Sequence, residues 1–270
     1  MDHLDGPFKL GRAAIDAGYR LEVVDEVGST NDLALARARE GERTGRLWLV
    51  AKRQTRGRGR QGRNWVSLPG NLHASLLLID PCKPAKAPEL GFVTGLALFE
   101  AARSLIGLGY PRLSLKWPND LLIDGAKCAG ILLEGHRPMN GALVVVIGVG
   151  ANVSACPQGV ANSVTSLGDY ASHATAQELL VLLSDAFIRF YGEWSGSIDR
   201  TDDLFDAWEA RAHGIGSRVK VTSGQAEVMG LFRGLDRGRM IIETSTGRRL
   251  FDAGDFQVIG ADDAADLATR

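Results

Sequence analysis

From residue 20 onward, short β-rich runs alternate with longer stretches in which apolar side chains recur at helical spacing. Runs at 20–24, 47–51 and 72–79 predict strands. Between the first two, Ser29 and Asp32 have the spacing of a capping box and Gly41 suits a helix C-terminus, so a helix is predicted there. Residues 88–107 predict an amphipathic helix, with Leu90, Val93, Ala97, Ala101 and Leu105 on the core face. Strands follow at 113–116, 130–134 and 143–149, and the turn pairs Asp124-Gly125 and Asn140-Gly141 imply hairpins, hence a partly antiparallel sheet. A second amphipathic helix over 175–194 carries Leu179, Leu182, Leu183, Ala186, Phe187 and Phe190, and a shorter helix spans 201–212. Beyond Gly214 short strands at 218–222, 227–235, 240–244 and 248–251 follow one another through Gly, Asp and Ser turns, as in a small barrel. The chain therefore divides into an N-terminal tail (1–18), an α/β domain with a mixed sheet and flanking helices (19–213) and an all-β barrel (214–262). Its Asp/Ala-rich end after Ile259 is expected to fray.

Composition narrows the function. The 270 residues hold 31 Lys+Arg against 32 Asp+Glu, a formal net charge of −1, which disfavours general coating of nucleic acid. With 45% hydrophobic and 23% charged residues, there is ample material for a folded core. Cys82, Cys128 and Cys156 contain no C-x-x-C pair, so neither a disulfide framework nor a thiolate zinc site is expected. The N-terminus has no basic start followed by an apolar run, and the uncharged stretch 138–168 loses its apolar character near Val153, short of the roughly 20 residues of a membrane span. A cytoplasmic protein that neither crosses nor binds a membrane is the expectation. The five histidines have no metal-ligand spacing, and neither a G-x-x-x-x-G-K-[ST] loop nor a G-x-S-x-G elbow is present.

Candidate chemistry concentrates in three places. Residues 52–65 hold five arginines and a lysine with no acidic residue, and glycines at 57, 59 and 62 let the backbone approach a ligand. Arginines fork onto carboxylate or phosphate oxygens, so this loop is an anion-binding candidate, with a solvated basic loop or a nucleic-acid arm as the alternative. The segment Lys-Trp-Pro-Asn-Asp at 116–120 ends a strand at Pro118 and puts Asn119 and Asp120 on the turn, offering polar recognition and a carboxylate for Mg²⁺. Lys127 lies on the connection that follows and can deliver a point charge to a phosphate. Gly148, Gly150 and Asn152 form a further Gly-rich strand end, weak evidence by itself.

Taken in order, Ser-Thr-Asn at 29–31, Gln54 with the Arg-Gly loop to Trp65, Lys-Trp-Pro-Asn-Asp at 116–120, Lys-Cys-Ala-Gly-Ile-Leu at 127–132 and Gly-Val-Gly-Ala-Asn at 148–152 resemble the biotin protein ligase family over roughly residues 20–260. The resemblance implies a mixed-sheet catalytic domain followed by an SH3-like barrel. It also implies a two-step reaction, in which biotin and ATP give biotinyl-5′-AMP and pyrophosphate and the acyl group then passes to one lysine of a biotin carrier domain, such as that of acetyl-CoA carboxylase. By the same resemblance Ser29, Thr30, Asn31, Gln54, Gly57, Arg58 and Lys127 serve biotin. Arg60, Arg63, Trp65, Asn119, Asp120 and Asn152 serve ATP, with Lys127 and Arg60 catalytic and Asp120 contacting Mg²⁺. Cys128 and His73 depart from the aliphatic and aromatic residues expected there. A helix-turn-helix domain would need roughly 50 residues ahead of the pattern, so no specific DNA target is expected. Lipoate ligation on the same fold is the runner-up, a non-enzymatic nucleic-acid module the reading from another class, and monomer and homodimer both stay open.

Overall fold

The computed structural model describes residues 8–107, 112–136, 141–160, 163–195 and 201–259. Seven strands form one mixed sheet: β1 (Arg20–Val27), β2 (Leu47–Gln54), β3 (Leu72–Ile79), β4 (Leu113–Lys116), β5 (Asp120–Ile123), β6 (Ala126–His136) and β7 (Val144–Ala151). Their spatial order is β1-β2-β3-β7-β6-β5-β4, with β1 and β2 parallel and every other neighbour antiparallel. Helices cover both faces. On one face lie α1 (Arg12–Asp16), α3 (Glu89–Ile106) and α4 (Ala176–Ser195), and on the other α2 (Thr30–Arg39).

Strand alternation sorts the side chains between these faces. In β2, Trp48 and Val50 enter the larger core, where Trp48 meets Phe187 of α4 edge to face at 6.2 Å, while Leu47 and Leu49 meet Ala34 of α2. Each fully buried large apolar side chain contributes about 1.5–3 kcal/mol. In β7, Val145, Ile147 and Val149 belong to the larger core and Val144 and Val146 to the α2 face, so Gly148 and Gly150 continue that second face without side chains. The sheet is therefore hollow beyond the first turn of α2, and the hollow is the floor of the cleft described below.

Several expectations change. The stretch 1–18 is not all tail: α1 docks on α4, with the Gly11 N–H donating to Ser184 Oγ at 2.8 Å. Ser29 occupies the N-cap of α2 but makes no capping hydrogen bond, and the Asp32 carboxylate that would close the box from the other side pairs with Arg58. The Thr30 N–H is satisfied by Gln54 Oε1 at 2.9 Å. Asp120 starts β5, a strand too short to leave a period in the sequence, rather than sitting on the turn. Asp124 and Gly125 both take positive φ between β5 and β6, as their hairpin requires. Asn140 lies outside the described residues.

Helix α5 (Thr201–Glu209) leads to a second, antiparallel sheet of five strands. These are β8 (Arg218–Ser223), β9 (Ala226–Asp236), β10 (Arg239–Thr244), β11 (Gly247–Phe251) and β12 (Asp255–Val258), in the order β11-β10-β9-β8-β12. Val219, Val221, Phe232, Met240, Ile242 and Phe256 fill its interior. Strand β12 is not anticipated by the sequence pattern. Its pairing with β8 brings Gly254 and Asp255 to the arginine loop. The Trp117 Nε1–H donates to the Gly238 carbonyl at 2.9 Å, and β4 exchanges backbone hydrogen bonds with Arg211 and His213, so the two sheets are joined near the Asn/Asp hairpin.

Candidate active site

A cleft of about 220 Å³ opens over the glycines of β7. Every residue that the resemblance assigns to biotin or ATP, except Gly57, lines it. The floor is a neutral hydrogen-bond network at the start of α2. Thr30 Oγ1 contacts Gln54 Oε1 at 3.2 Å, and the Ser75 hydroxyl lies 2.7 Å from Thr30 Oγ1 and 2.6 Å from Asn31 Oδ1. Asn31 Nδ2 donates to Glu134 Oε2 at 2.6 Å, so both ends of this buried amide are held by protein. A Cβ at Gly148 would overlap the Asn31 amide, and one at Gly150 would come within 2.5 Å of the Trp65 indole. These two glycines make the floor by leaving room for side chains from elsewhere. Gly57 acts the same way from outside the cleft, since a Cβ there would lie 2.6 Å from the Trp65 carbonyl oxygen and 3.1 Å from Gln54 Nε2. Of the loop glycines at 57, 59 and 62 only Gly62 takes a positive φ.

The reactive edge depends on a β-bulge. In β5 and β6, Asp120 pairs with Gly130 and Leu121 with Ala129, but Leu122 pairs with Lys127, so the register shifts at Cys128. Without that shift Lys127 would share the core face of Ala129 and Ile131. The extra residue turns it onto the face of Asp120 and Gly130 and leaves Cys128 buried in the core. Lys127 Nζ then lies 2.7 Å from Asp120 Oδ1, with 28% and 16% of the two side chains exposed, and 5.7 Å from the centroid of the Trp65 ring. Burial pushes the Cys128 thiol up to about 12, so it is an inert core group. Asn119 is locked by Nδ2 donating to the Ile131 carbonyl at 2.7 Å, and its Oδ1 accepts from Arg60 at 3.1 Å. Asn152 donates to the Thr165 carbonyl at 3.1 Å, while its buried Oδ1 has no protein partner and is free to accept from a ligand.

Three of the cleft's four cations are matched by carboxylates. Lys127 pairs with Asp120, Arg58 with Asp32 at 2.7 Å and Glu134 at 3.3 Å, and Arg63 with Asp255 of the second sheet. Arg60 differs. Its half-buried guanidinium bonds only neutral oxygens, Asn119 Oδ1 and, at 3.4 Å, the Gly254 carbonyl. Burial draws its pKa below the ordinary arginine value, and the fields of Asp255 and Asp120 oppose that shift. A half-buried cation held this way favours an incoming anion. Sequence reasoning missed Glu134, Asp255, Ser75 and the bulge. The first three are single polar residues in strands without a motif, and the bulge is visible only in the pairing.

Residues 23–152 match the model of the biotin/lipoate A/B protein ligase family, and residues 214–258 match that of the biotin protein ligase C-terminal domain. The chain is 35% identical over 221 residues to a biotin--[acetyl-CoA-carboxylase] ligase of Paracoccus denitrificans, covering 78% of this chain and 90% of the relative. A Mycobacterium tuberculosis protein of the same name is 34% identical over 249 residues, covering 88% and 89%. Among solved structures, a biotin protein ligase from Aquifex aeolicus in complex with biotin and ATP superposes with a TM-score of 0.74 at 27% identity, covering 90% of this chain and 99% of that one. A glycine-floored cleft rimmed by arginines, a C-terminal barrel and this degree of identity lead to one conclusion: the chain belongs to the biotin protein ligase family.

Proposed function

We propose that the chain activates biotin with ATP and transfers it to a lysine of a biotin carrier domain such as that of acetyl-CoA carboxylase. The observation that carries the reading is Arg60, a half-buried guanidinium without a carboxylate partner, in the same cleft as Lys127, where each of the other three cations is matched by a carboxylate. A biotin carboxylate oxygen attacks the α-phosphorus of ATP, and the bond to the pyrophosphate oxygen breaks. Two anions must meet for this. Arg60 and Lys127 neutralise the oxygens that approach and carry the charge that develops, a form of stabilisation worth several kcal/mol in a partly dehydrated site. In the second step the carrier lysine amine attacks the acyl carbon, the bond to AMP breaks and the amine loses a proton. No protein nucleophile is required.

Thr30, Gln54 and Asn31 set the floor for the biotin head, and Trp65, Asn119 and Asn152 take the nucleotide side, where Asn152 Oδ1 is an unfilled acceptor. Among the described residues there is no cluster of three metal-ligand side chains, which suits an ion brought in on ATP phosphates rather than held by a protein cage. Asp120, which lines the cleft and pairs with Lys127, is the carboxylate that would contact it, and Mg²⁺ there would neutralise phosphate charge. Both curated relatives are named for biotin, which favours biotin over lipoate.

A cytoplasmic setting and the lack of a DNA operator belong to the same proposal. Their support is the three free cysteines, the net charge of −1 and the absence, among the described residues, of a helix long and apolar enough to cross a membrane. Likewise 19–213 and 214–262 are proposed as two domains joined at the arginine loop. Incubation with ATP, Mg²⁺, biotin or lipoate, and a carrier domain, followed by intact mass of the carrier, tests the function. A biotin adduct is expected, and an unmodified carrier or a lipoyl adduct alone would overturn it.

A further inference from the structure

Glu134 does not line the cleft, yet it touches two residues that do. On β6 it follows Gly130 and Leu132 on the cleft face of the sheet, behind the floor. Its carboxylate accepts from Asn31 Nδ2 at 2.6 Å and, through both oxygens, from Arg58 at 3.3 Å. Asn31 is 3% exposed, and without Glu134 its amide nitrogen would keep only the Leu132 carbonyl at 3.4 Å. A buried amide so poorly paired reorients or admits water. Arg58 is exposed, and its other carboxylate, Asp32, stands in the first turn of α2. Glu134 is thus one carboxylate bonded both to the buried floor and to the arginine loop.

We infer that Glu134 is a positioning residue for biotin, which fixes the Asn31 amide with its oxygen toward Ser75 and ties the entrance of the arginine loop to that floor through Arg58. The inference rests on the reading of the cleft as a biotin site. Its structural half, the coupling of floor and loop, needs no ligand. The loop N–H groups of Gly59, Arg63 and Trp65 donate to the carbonyls of Arg63, Arg60 and Gly57 at 2.7, 3.1 and 2.9 Å, so loosening of the Arg58 anchor exposes them to exchange.

The test uses the full chain with Glu134→Gln, which keeps size but weakens the Asn31 bond from charge-assisted to neutral and removes the charge that holds Arg58, together with Arg58→Ala and the double variant. In ligand-free protein, Glu134→Gln should speed exchange of the Gly59, Arg63 and Trp65 amides about 3- to 10-fold, the scale of one partly exposed charge-assisted bond. KM for biotin should rise by a similar factor while KM for ATP moves less than about 2-fold. Adding Glu134→Gln to Arg58→Ala should change loop exchange little further. Asp32→Asn is the control that loosens Arg58 without touching Asn31, and it should speed exchange with a smaller rise in KM for biotin. Unchanged exchange, an equal rise in both KM values, or full additivity in the double variant would overturn the inference. Faster exchange in a protein whose wild type binds no biotin by calorimetry would instead uphold the coupling and remove the functional reading.

Discussion

The floor and the rim of the cleft are built on opposite principles. The floor, from Thr30, Asn31, Gln54 and Ser75, is neutral, and all but Gln54 are fully buried; its hydroxyls and amides are bonded to one another over glycines that leave space for them. The rim is charged and open, with Arg58 and Arg63 held by carboxylates from other elements and Arg60 by neutral oxygens. Buried neutral bonds have one good geometry and lose a great deal when disturbed, so a floor of this kind selects a ligand by shape and polarity. Exposed ion pairs are weak and interchangeable, so a rim of this kind can trade its own carboxylates for those of a substrate. Specificity then belongs to the floor, and charge compensation and closure belong to the rim.

Lys127 is where the two meet, and its removal should give the largest effect. Lys127→Ala should fold, because the side chain stands on the cleft face of a bulge, yet it removes a positive charge aimed at the reacting phosphate. By the measure of a lost oxyanion donor this costs about 2.7–4 kcal/mol, or about 10²–10³ in the rate of biotin-dependent pyrophosphate release. Near-normal release would place Lys127 with the interchangeable rim pairs.

Gly148→Ala probes the floor alone. The added methyl overlaps the Asn31 amide, which is already bonded at both ends, so the network must shift at a cost of about 1–3 kcal/mol. Biotin affinity by calorimetry should fall about 10-fold with ATP affinity unchanged, since each 1.4 kcal/mol is a factor of ten. An equal loss for both ligands would show that the floor is not specific to one of them.

The elements that keep a full period, such as α3, α4 and β3, were legible from the sequence nearly to the residue. The residues expected at the cleft also come together there, because Arg-Gly and Lys-Trp-Pro-Asn-Asp are unusual strings that carry their chemistry locally. What stayed hidden is relational. The bulge that turns Lys127 outward exists only in the β5–β6 register, and Glu134 and Asp255 become meaningful only when β6 meets α2 and β12 meets the loop. Strand β12, with four residues, is too short to show a period. The capping-box reading failed at Asp32, whose carboxylate pairs with Arg58, 26 positions along the chain.

Arg60→Gly tests closure at the rim. It removes the two bonds to Asn119 and Gly254 and frees the loop backbone, so a mixed anhydride formed below should escape before the carrier arrives. Labelling of a bystander protein's lysines, read by mass spectrometry, should rise several-fold over wild type, an effect on the order of 1 kcal/mol in retention. Equal bystander labelling would mean that the floor alone retains the intermediate.

The smallest effect is expected where the rim reaches the second sheet. Burial would raise the Asp255 carboxyl pKa, but the hydrogen bond from Arg63 and the positive charges of Arg63, Lys116 and Arg60 outweigh it and hold it below the ordinary carboxylate value. A carboxyl depressed in this way stabilises the fold above its unfolded value near 4, and the contribution disappears as pH falls through the lower folded value. The latch is therefore constant from about pH 5 to 8 and fades only in acid. With 55% of Arg63 and 40% of Asp255 exposed, solvent screens the pair, and its worth is at most about 1 kcal/mol, or about 2–4 °C in Tm for a chain of this size. Asp255→Asn should lower Tm by that amount at pH 7 in low salt, lose the difference when salt is raised, and converge on wild type as pH falls below the lowered carboxyl pKa. Because β12 carries the residue, the same variant should also loosen the loop around Arg63. A Tm difference that survived both acid and salt would show Asp255 acting through packing in β12 rather than through charge, and would move the boundary of the interchangeable rim inward to Arg60.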